Sequence, residues 1–143
     1  GPQYPDPKAD LGKHSFTYSF YPHAGDWRAA RTPQRAWELN DPMTVCKLGE
    51  NQVADKTTET FLKIDKDHVL LSALKPADDY NGTIIRVYED QNRRGNVNVQ
   101  FNKNIEMAVE CDPYENEIGT ARFEGNTLSF DIKPFEVRTF RIQ

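Results

Sequence analysis

Soft metal ligands are scarce in this sequence, whose 143 residues include only two cysteines and three histidines. Cys46 and Cys111 lie far apart, without the paired spacing of a zinc ribbon or a redox motif. Two reduced, partly buried thiols are expected, and a disulfide between them stays open should the compartment be oxidising. His14, His23 and His68 belong to no His-Glu-x-x-His helix and no Cys/His cluster, which removes the common zinc-enzyme arrangements. Long apolar runs are missing too. Nothing approaches the roughly 20 residues that cross a bilayer, and the first residues lack the basic and apolar regions of a signal peptide. The expectation is a soluble, cytoplasmic piece with no membrane partner.

An excess of positive charge is likewise absent. The formal charge is −4, the pI is near 5.4, and basic residues are scattered among acidic ones. Phosphate backbones therefore find no electrostatic footprint, and nucleic acid is excluded as a partner. The sequence contains no Gly-x-Ser-x-Gly elbow, no Cys-His nucleophile framework and no phosphate-cradling glycine loop; Arg93-Arg94-Gly95 is a lone basic turn.

What is present favours strands. Eight Phe, six Tyr and two Trp suit a pleated, half-buried surface, and the length fits one domain of ordinary size or a small domain with an attached arm. Pro2, Pro5 and Pro7 make residues 1–12 an extended lead-in. Lys13 to Tyr21 alternates Phe16, Tyr18 and Phe20 against Ser15, Thr17 and Ser19, the period of a strand buried on one face. Pro22 to Trp27 reads as a compact turn using Gly25. Thr32 before Pro33 reads as the N-cap of a short helix that Asn40, Asp41 and Pro42 stop. A strand over Met43–Leu48 and a polar loop over Gly49–Thr58 follow.

Beyond that point strands dominate. Phe61–Ile64 and His68–Leu74 flank Asp65-Lys66-Asp67, which suits a hairpin turn, and Lys75–Gly82 is a second turn. Thr83–Glu89 is apolar almost throughout and should be buried on both faces. Val97, Val99 and Phe101 alternate with Asn96, Asn98 and Gln100, and Ile105–Cys111 adds a further strand. Ala121–Phe123 and Leu128–Ile132 flank Glu124-Gly125-Asn126, the clearest hairpin. The closing strand carries Phe135, Val137, Phe140 and Ile142, with a change of apolar phase that implies a bulge. Seven or so short strands at this spacing define an all-β chain: an antiparallel, Ig-like β-sandwich with an N-terminal strand or arm and one short helix. The division expected is an arm over 1–60 and a sandwich over 61–143.

Convergent chemistry is sparse. His23 and Asp26 could face one ligand, although Asp26 equally caps turn amides while His23 packs locally, and two ligands fall short of a metal site. Asp78-Asp79, Asp65/Asp67 and Glu115/Glu117 could each be promoted to a glycosidase acid and nucleophile, against a reading as solvated turn residues. Trp27, Trp37, Tyr80, Tyr88 and Tyr114 could make a sugar-stacking platform, or simply pack.

Two stretches carry a resemblance. Tyr4-Pro-Asp-Pro-Lys-Ala-Asp-Leu-Gly-Lys-His-Ser-Phe-Thr-Tyr-Ser-Phe-Tyr-Pro-His-Ala-Gly-Asp-Trp27 with Ala36-Trp-Glu-Leu-Asn-Asp-Pro42 is the first. The second comprises Leu71-Ser-Ala-Leu-Lys-Pro-Ala-Asp-Asp79, Ile85-Arg-Val-Tyr-Glu89 and Pro134-Phe-Glu-Val-Arg-Thr-Phe-Arg141. Together they resemble the C-terminal region of glycoside hydrolase family 38 α-mannosidases, bacterial members and mannosylglycerate hydrolases included. The resemblance implies a longer parent that cleaves α-mannosides with retention, using zinc and a carboxylate nucleophile in an N-terminal α/β barrel. The family's zinc-binding histidine-x-aspartate motif has no match here, so no catalytic, cofactor-binding or metal residue is carried onto this sequence.

A non-catalytic β piece is therefore expected, inactive alone, with zinc belonging to the parent. Its start inside a family-like segment implies a piece of a longer chain, and Gly1-Pro2 reads equally as a protease scar or as native. Its partners would be the parent's catalytic barrel and adjacent β domain, reached through Arg86, Arg94 or the His23 turn. An α-mannoside would be met only through the parent. Residues 1–60 would leave an apolar edge exposed, inviting dimerisation or strand exchange. A carbohydrate-binding module and a structural or oligomerisation domain are the alternative classes.

Overall fold

The computed structural model describes residues 11–47, 49 and 58–143. One helix, α1 (Thr32–Asn40), precedes nine strands among these residues: β1 (Leu62–Ile64), β2 (Val69–Pro76), β3 (Thr83–Glu89), β4 (Gly95–Phe101), β5 (Ala108–Cys111), β6 (Glu117–Thr120), β7 (Arg122–Glu124), β8 (Thr127–Ile132) and β9 (Val137–Ile142). They form two antiparallel sheets, β1-β4-β8-β7 and β2-β3-β9-β5-β6. Alternation decides what lies between them. Val97, Val99 and Phe101 of β4 and Leu128, Phe130 and Ile132 of β8 meet Ile85, Val87, Phe140 and Ile142 of the other sheet, all buried. Phe130 and Phe140 touch across the gap, ring centres 4.6 Å apart. The all-β sandwich anticipated from strand spacing is thus the fold.

Thr83–Glu89 is buried on both faces, as its apolar run implied. Ile85 and Val87 enter the core, while Ile84, with no exposure, lies in register with Lys75 and Arg141 of the two neighbouring strands. The β7–β8 hairpin also forms where expected. Gly125 takes a φ of 56°, and the Asn126 amide donates to the Phe101 carbonyl at 2.7 Å, tying the turn to β4. Gly82 closes the β2–β3 turn at φ 97°, and a Cβ there would stand 2.6 Å from the Ile142 carbonyl oxygen. No other residue fits both demands.

Several local expectations are corrected. Asp65-Lys66-Asp67 does not turn a hairpin, because β1 pairs with β4 and β2 with β3, in different sheets. The segment carries the chain from one layer to the other, fastened by Asp65, whose carboxylate accepts the Asn98 backbone N–H at 2.8 Å and its side-chain amide at 3.0 Å. No bulge interrupts β9, whose register against β3 is continuous from Val137 to Ile142. Val137 simply lies on the outer face, half-exposed, while shifts occur at Leu71/Ala73 and at Glu110/Cys111. Alternation shows which residues share a face but not which face meets the core.

The N-terminal region departs furthest. Residues 13–21 form no strand, and Phe16, Tyr18 and Phe20 are 82, 83 and 88% exposed. Residues 43–47 of the second expected strand are also unpaired into any sheet, with Met43 and Val45 above 90% exposed; Leu48 and most of the 49–58 loop lie outside the described residues. A strand is completed by a neighbour, and among the described residues none is supplied. The helix begins one residue earlier than read, at Thr32. Arg31, at φ 54°, is the cap without a side-chain bond, because the turn before it already feeds the helix: the amides of Ala30 and Thr32 donate to the carbonyls of Asp26 and Trp27, each at 3.0 Å.

Candidate functional site

The conspicuous carboxylates turn out to fasten turns. At one end of the sandwich, Glu115 accepts the Asp78 backbone N–H at 2.8 Å and pairs with Lys75 at 2.5 Å, while Lys75 also pairs with Asp78. The Lys75 ammonium, then the Asp78 amide, hold Glu115 below the usual carboxylate range. Asp79 is lowered by the Asn81 amide and then by Arg141, which it meets at 2.8 Å. Arg141 reaches on to the Glu115 carbonyl, and Arg86 to the Pro113 carbonyl. Two turns and the last strand are thereby stitched together. Glu117, the other half of one proposed acid pair, is exposed on β6.

Asp65 follows the same rule. Burial alone would raise its pKa, but the Asn98 hydrogen bonds and Lys66 bring it below the usual range. Asp67 meets His68 at 3.4 Å and Arg93 at 3.3 Å and is lowered by both.

The strongest such staple escaped the sequence reading. Glu89 is 2% exposed and accepts four backbone N–H bonds, from Gln91, Asn92, Arg93 and Phe135, all between 2.8 and 3.0 Å. Burial pushes its pKa up, yet the four donors bring it below the ordinary range. It fixes the β3–β4 turn and the approach to β9, where Asn92 and Phe135 adopt positive φ. Arg138 was also missed. Its guanidinium lies 5.7 and 5.4 Å from the Phe130 and Phe140 ring centres, pairs with Glu110 at 2.6 Å and donates to the Asp131 carbonyl. Alternation sets Arg138 on the face of Phe140 and Ile142, and the aromatic pair with Glu110 lets that face hold an arginine.

Asp26 accepts the amides of Arg28 and Ala29 at 3.0 and 2.8 Å, and His23 sits 5.5 Å from the Tyr21 ring. The aromatics expected to share a platform divide into two groups. Trp37 donates its indole N–H to the Tyr88 hydroxyl at 2.7 Å and Trp27 lies under Arg28, whereas the exposed Tyr80 and Tyr114 ride on the turns stitched by Glu115. Cys46 is exposed, Cys111 is buried, and both are free thiols.

Where the N-terminal segment meets the sandwich, polar contacts do the fastening. Arg28 donates to the Gln91 carbonyl at 3.2 Å and Gln34 to the Asp67 carbonyl at 2.9 Å, alongside the Trp37–Tyr88 bond; α1 buries no residue. Beneath it, His68 is 3% exposed, and both Asp90 carboxylate oxygens are buried without a protein hydrogen bond.

Among the described residues no group of three or more His, Cys, Asp and Glu could hold a metal ion, and His14, His23 and His68 stand on separate segments. The zinc implied by the resemblance finds no fitting donor set among the described residues. No helix among them is long and apolar enough to cross a membrane.

The fold is a two-sheet antiparallel sandwich whose carboxylates tie its own turns together. The sequence matches the family described as "Glycosyl hydrolases family 38 C-terminal beta sandwich domain" over residues 68–140, and the chain belongs to that family. It is 29% identical to "Alpha-mannosidase G" of Dictyostelium discoideum, over 98% of this chain and 13% of that protein. It is 28% identical to "Alpha-mannosidase 2C1" of Mus musculus, over 96% of this chain and 14% of that one, and 28% identical to the Homo sapiens protein of the same name, over 95% and 13%. The chain thus spans 13–14% of the length of the curated relatives it matches.

Proposed function

We propose that this sandwich is a non-catalytic supporting domain of a longer α-mannosidase, in which zinc-dependent cleavage of α-mannosides with retention takes place on other parts of the chain. Residues 61–143 are the C-terminal sandwich in this reading, and residues 1–60 are an arm belonging to a larger β region. The observation that carries it is the engagement of the carboxylates. Glu89, Glu115, Asp65 and Asp79 each hold backbone amides or cations of neighbouring turns. A glycosidase pair needs two carboxyl groups flanking a sugar, about 5–10 Å apart, with divergent pKa values. These four are instead drawn in the same direction, downward, by structural partners.

The exposed face of Phe16, Tyr18 and Phe20 supports the second half of the reading, since aromatics in alternation on extended backbone suit the edge of a sheet on the adjacent body. Strand exchange between copies is the competing use of that face. An assay on a chromogenic α-mannoside, with and without added zinc, tests the functional half. The 143-residue chain should show no turnover and the longer protein should show it; zinc-dependent turnover by the short chain overturns the proposal.

A further inference from the structure

Seven buried side-chain polar atoms make no protein hydrogen bond, and five of them fall on the two sides of one seam. Thr32 Oγ1 and Gln34 Oε1 lie on α1; His68 Nε2 and both oxygens of Asp90 lie on the sandwich beneath. The other two, Arg138 Nε and Arg141 Nε, belong to guanidinium groups already ion-paired at 2.6 and 2.8 Å. Three hydrogen bonds cross the seam: Arg28 to Gln91, Gln34 to Asp67, and Trp37 to Tyr88. A docked segment with no buried residue, resting on an unpartnered carboxylate, is held by a small net free energy.

We propose that residues 26–40 form a proton-sensitive latch, gripping the sandwich in acid and loosening toward neutral pH, with Asp90 as the deciding group. Of the charged groups that bear on Asp90, His68 favours its ionised form, while Glu89 and Asp67 oppose it. Arg28 is committed to the Gln91 carbonyl and Arg93 to Asp67. Lys66 pairs with Asp65, and Arg35 with Glu38 on the solvent side of the helix. Glu89 and Asp67 carry like charge, and His68, joined to Asp90 through its backbone carbonyl, already has its Nδ1 near Asp67.

Burial, and then the Glu89 carboxylate, push Asp90 above the ordinary carboxyl range. In the proposed latch the docked segment supplies that burial, so the latched state holds a proton that the open state releases. Latching is strongest below the ordinary carboxyl range and weakens as pH rises through the raised value. Glu89 and Asp67 shift the opposite way and stay ionised throughout that window. The inference does not depend on the mannosidase reading, since it concerns two segments within this chain.

The Trp37 indole N–H, bonded to Tyr88 only when the latch is closed, gives the readout. In isotope-labelled protein its signal is assigned with Trp37→Phe. Its protection is the exchange rate relative to a free indole at the same pH. Protection should fall as pH rises from acid to neutral, by up to about tenfold per pH unit for one linked proton, then level off. Asp90→Asn should stay protected at every pH. Gln34→Glu, which sets a second carboxylate at the seam, should lose protection near neutral and regain it in acid. Flat protection in the unmodified chain overturns the latch, as a water-filled seam would give, and so does an Asp90→Asn variant that keeps the original slope.

Discussion

Residues 11–47 and residues 62–142 use the same amino-acid chemistry to opposite ends. In the sandwich, Phe101, Phe130 and Phe140 are 4, 6 and 1% exposed, while in the N-terminal region Phe16, Tyr18 and Phe20 exceed 80%. Both sets alternate with polar residues. What separates them is the neighbour: β4, carrying Phe101, has β1 on one side and β8 on the other, whereas the segment over 13–21 pairs with no strand. Alternation thus prepares a strand, and only main-chain pairing and an opposing face turn it into structure.

The contrast breaks most visibly at the core. Phe140→Ala should cost about 3–5 kcal/mol in chemical denaturation, whereas Phe20→Ala should change sandwich stability by less than about 0.5 kcal/mol. Equal losses would place both aromatics in one core. Glu89→Gln comes next, at about 3 kcal/mol, because a buried acceptor of four amides is weakened at once. Its pH signature has a definite sign: with a lowered folded pKa, Glu89 contributes stability above the ordinary carboxyl range and loses it as pH falls through the folded value. The variant's acid limb should therefore be shallower than that of the unmodified chain.

Gly82→Ala should cost more than about 1 kcal/mol, since the new methyl meets the Ile142 carbonyl at a backbone angle that side chains avoid. Asp26→Ala is the smallest and most local change. Losing the acceptor of two turn amides should weaken order over residues 26–31 by about 1 kcal/mol, read by hydrogen exchange, with the sandwich's denaturation midpoint unmoved. A shifted midpoint would mean that the two regions fold as one unit.

Much of the sandwich was legible because its signals are local. The β7–β8 turn residues, the apolar run of β3 and the alternation of β4 each speak within a few positions. What was illegible joins distant parts of the chain. Glu89 looks like the polar end of a strand until Phe135, 46 residues on, donates to it. Asp65 looks like a hairpin turn until Asn98 of β4, the strand paired with β1, donates to it. Adjacency in sequence put Asp78 beside Asp79, but space sends one to Lys75 and the other to Arg141.

In the proposed role the sandwich supports a larger body, and that body covers the aromatic face of residues 13–21. Amide hydrogen exchange over that segment, compared between the longer protein and the 143-residue chain at high dilution, tests it most directly. The account expects slow exchange in the longer protein and fast exchange in the short chain. Fast exchange in both would contradict it, as would protection in the short chain that grows with its concentration, the mark of pairing between copies.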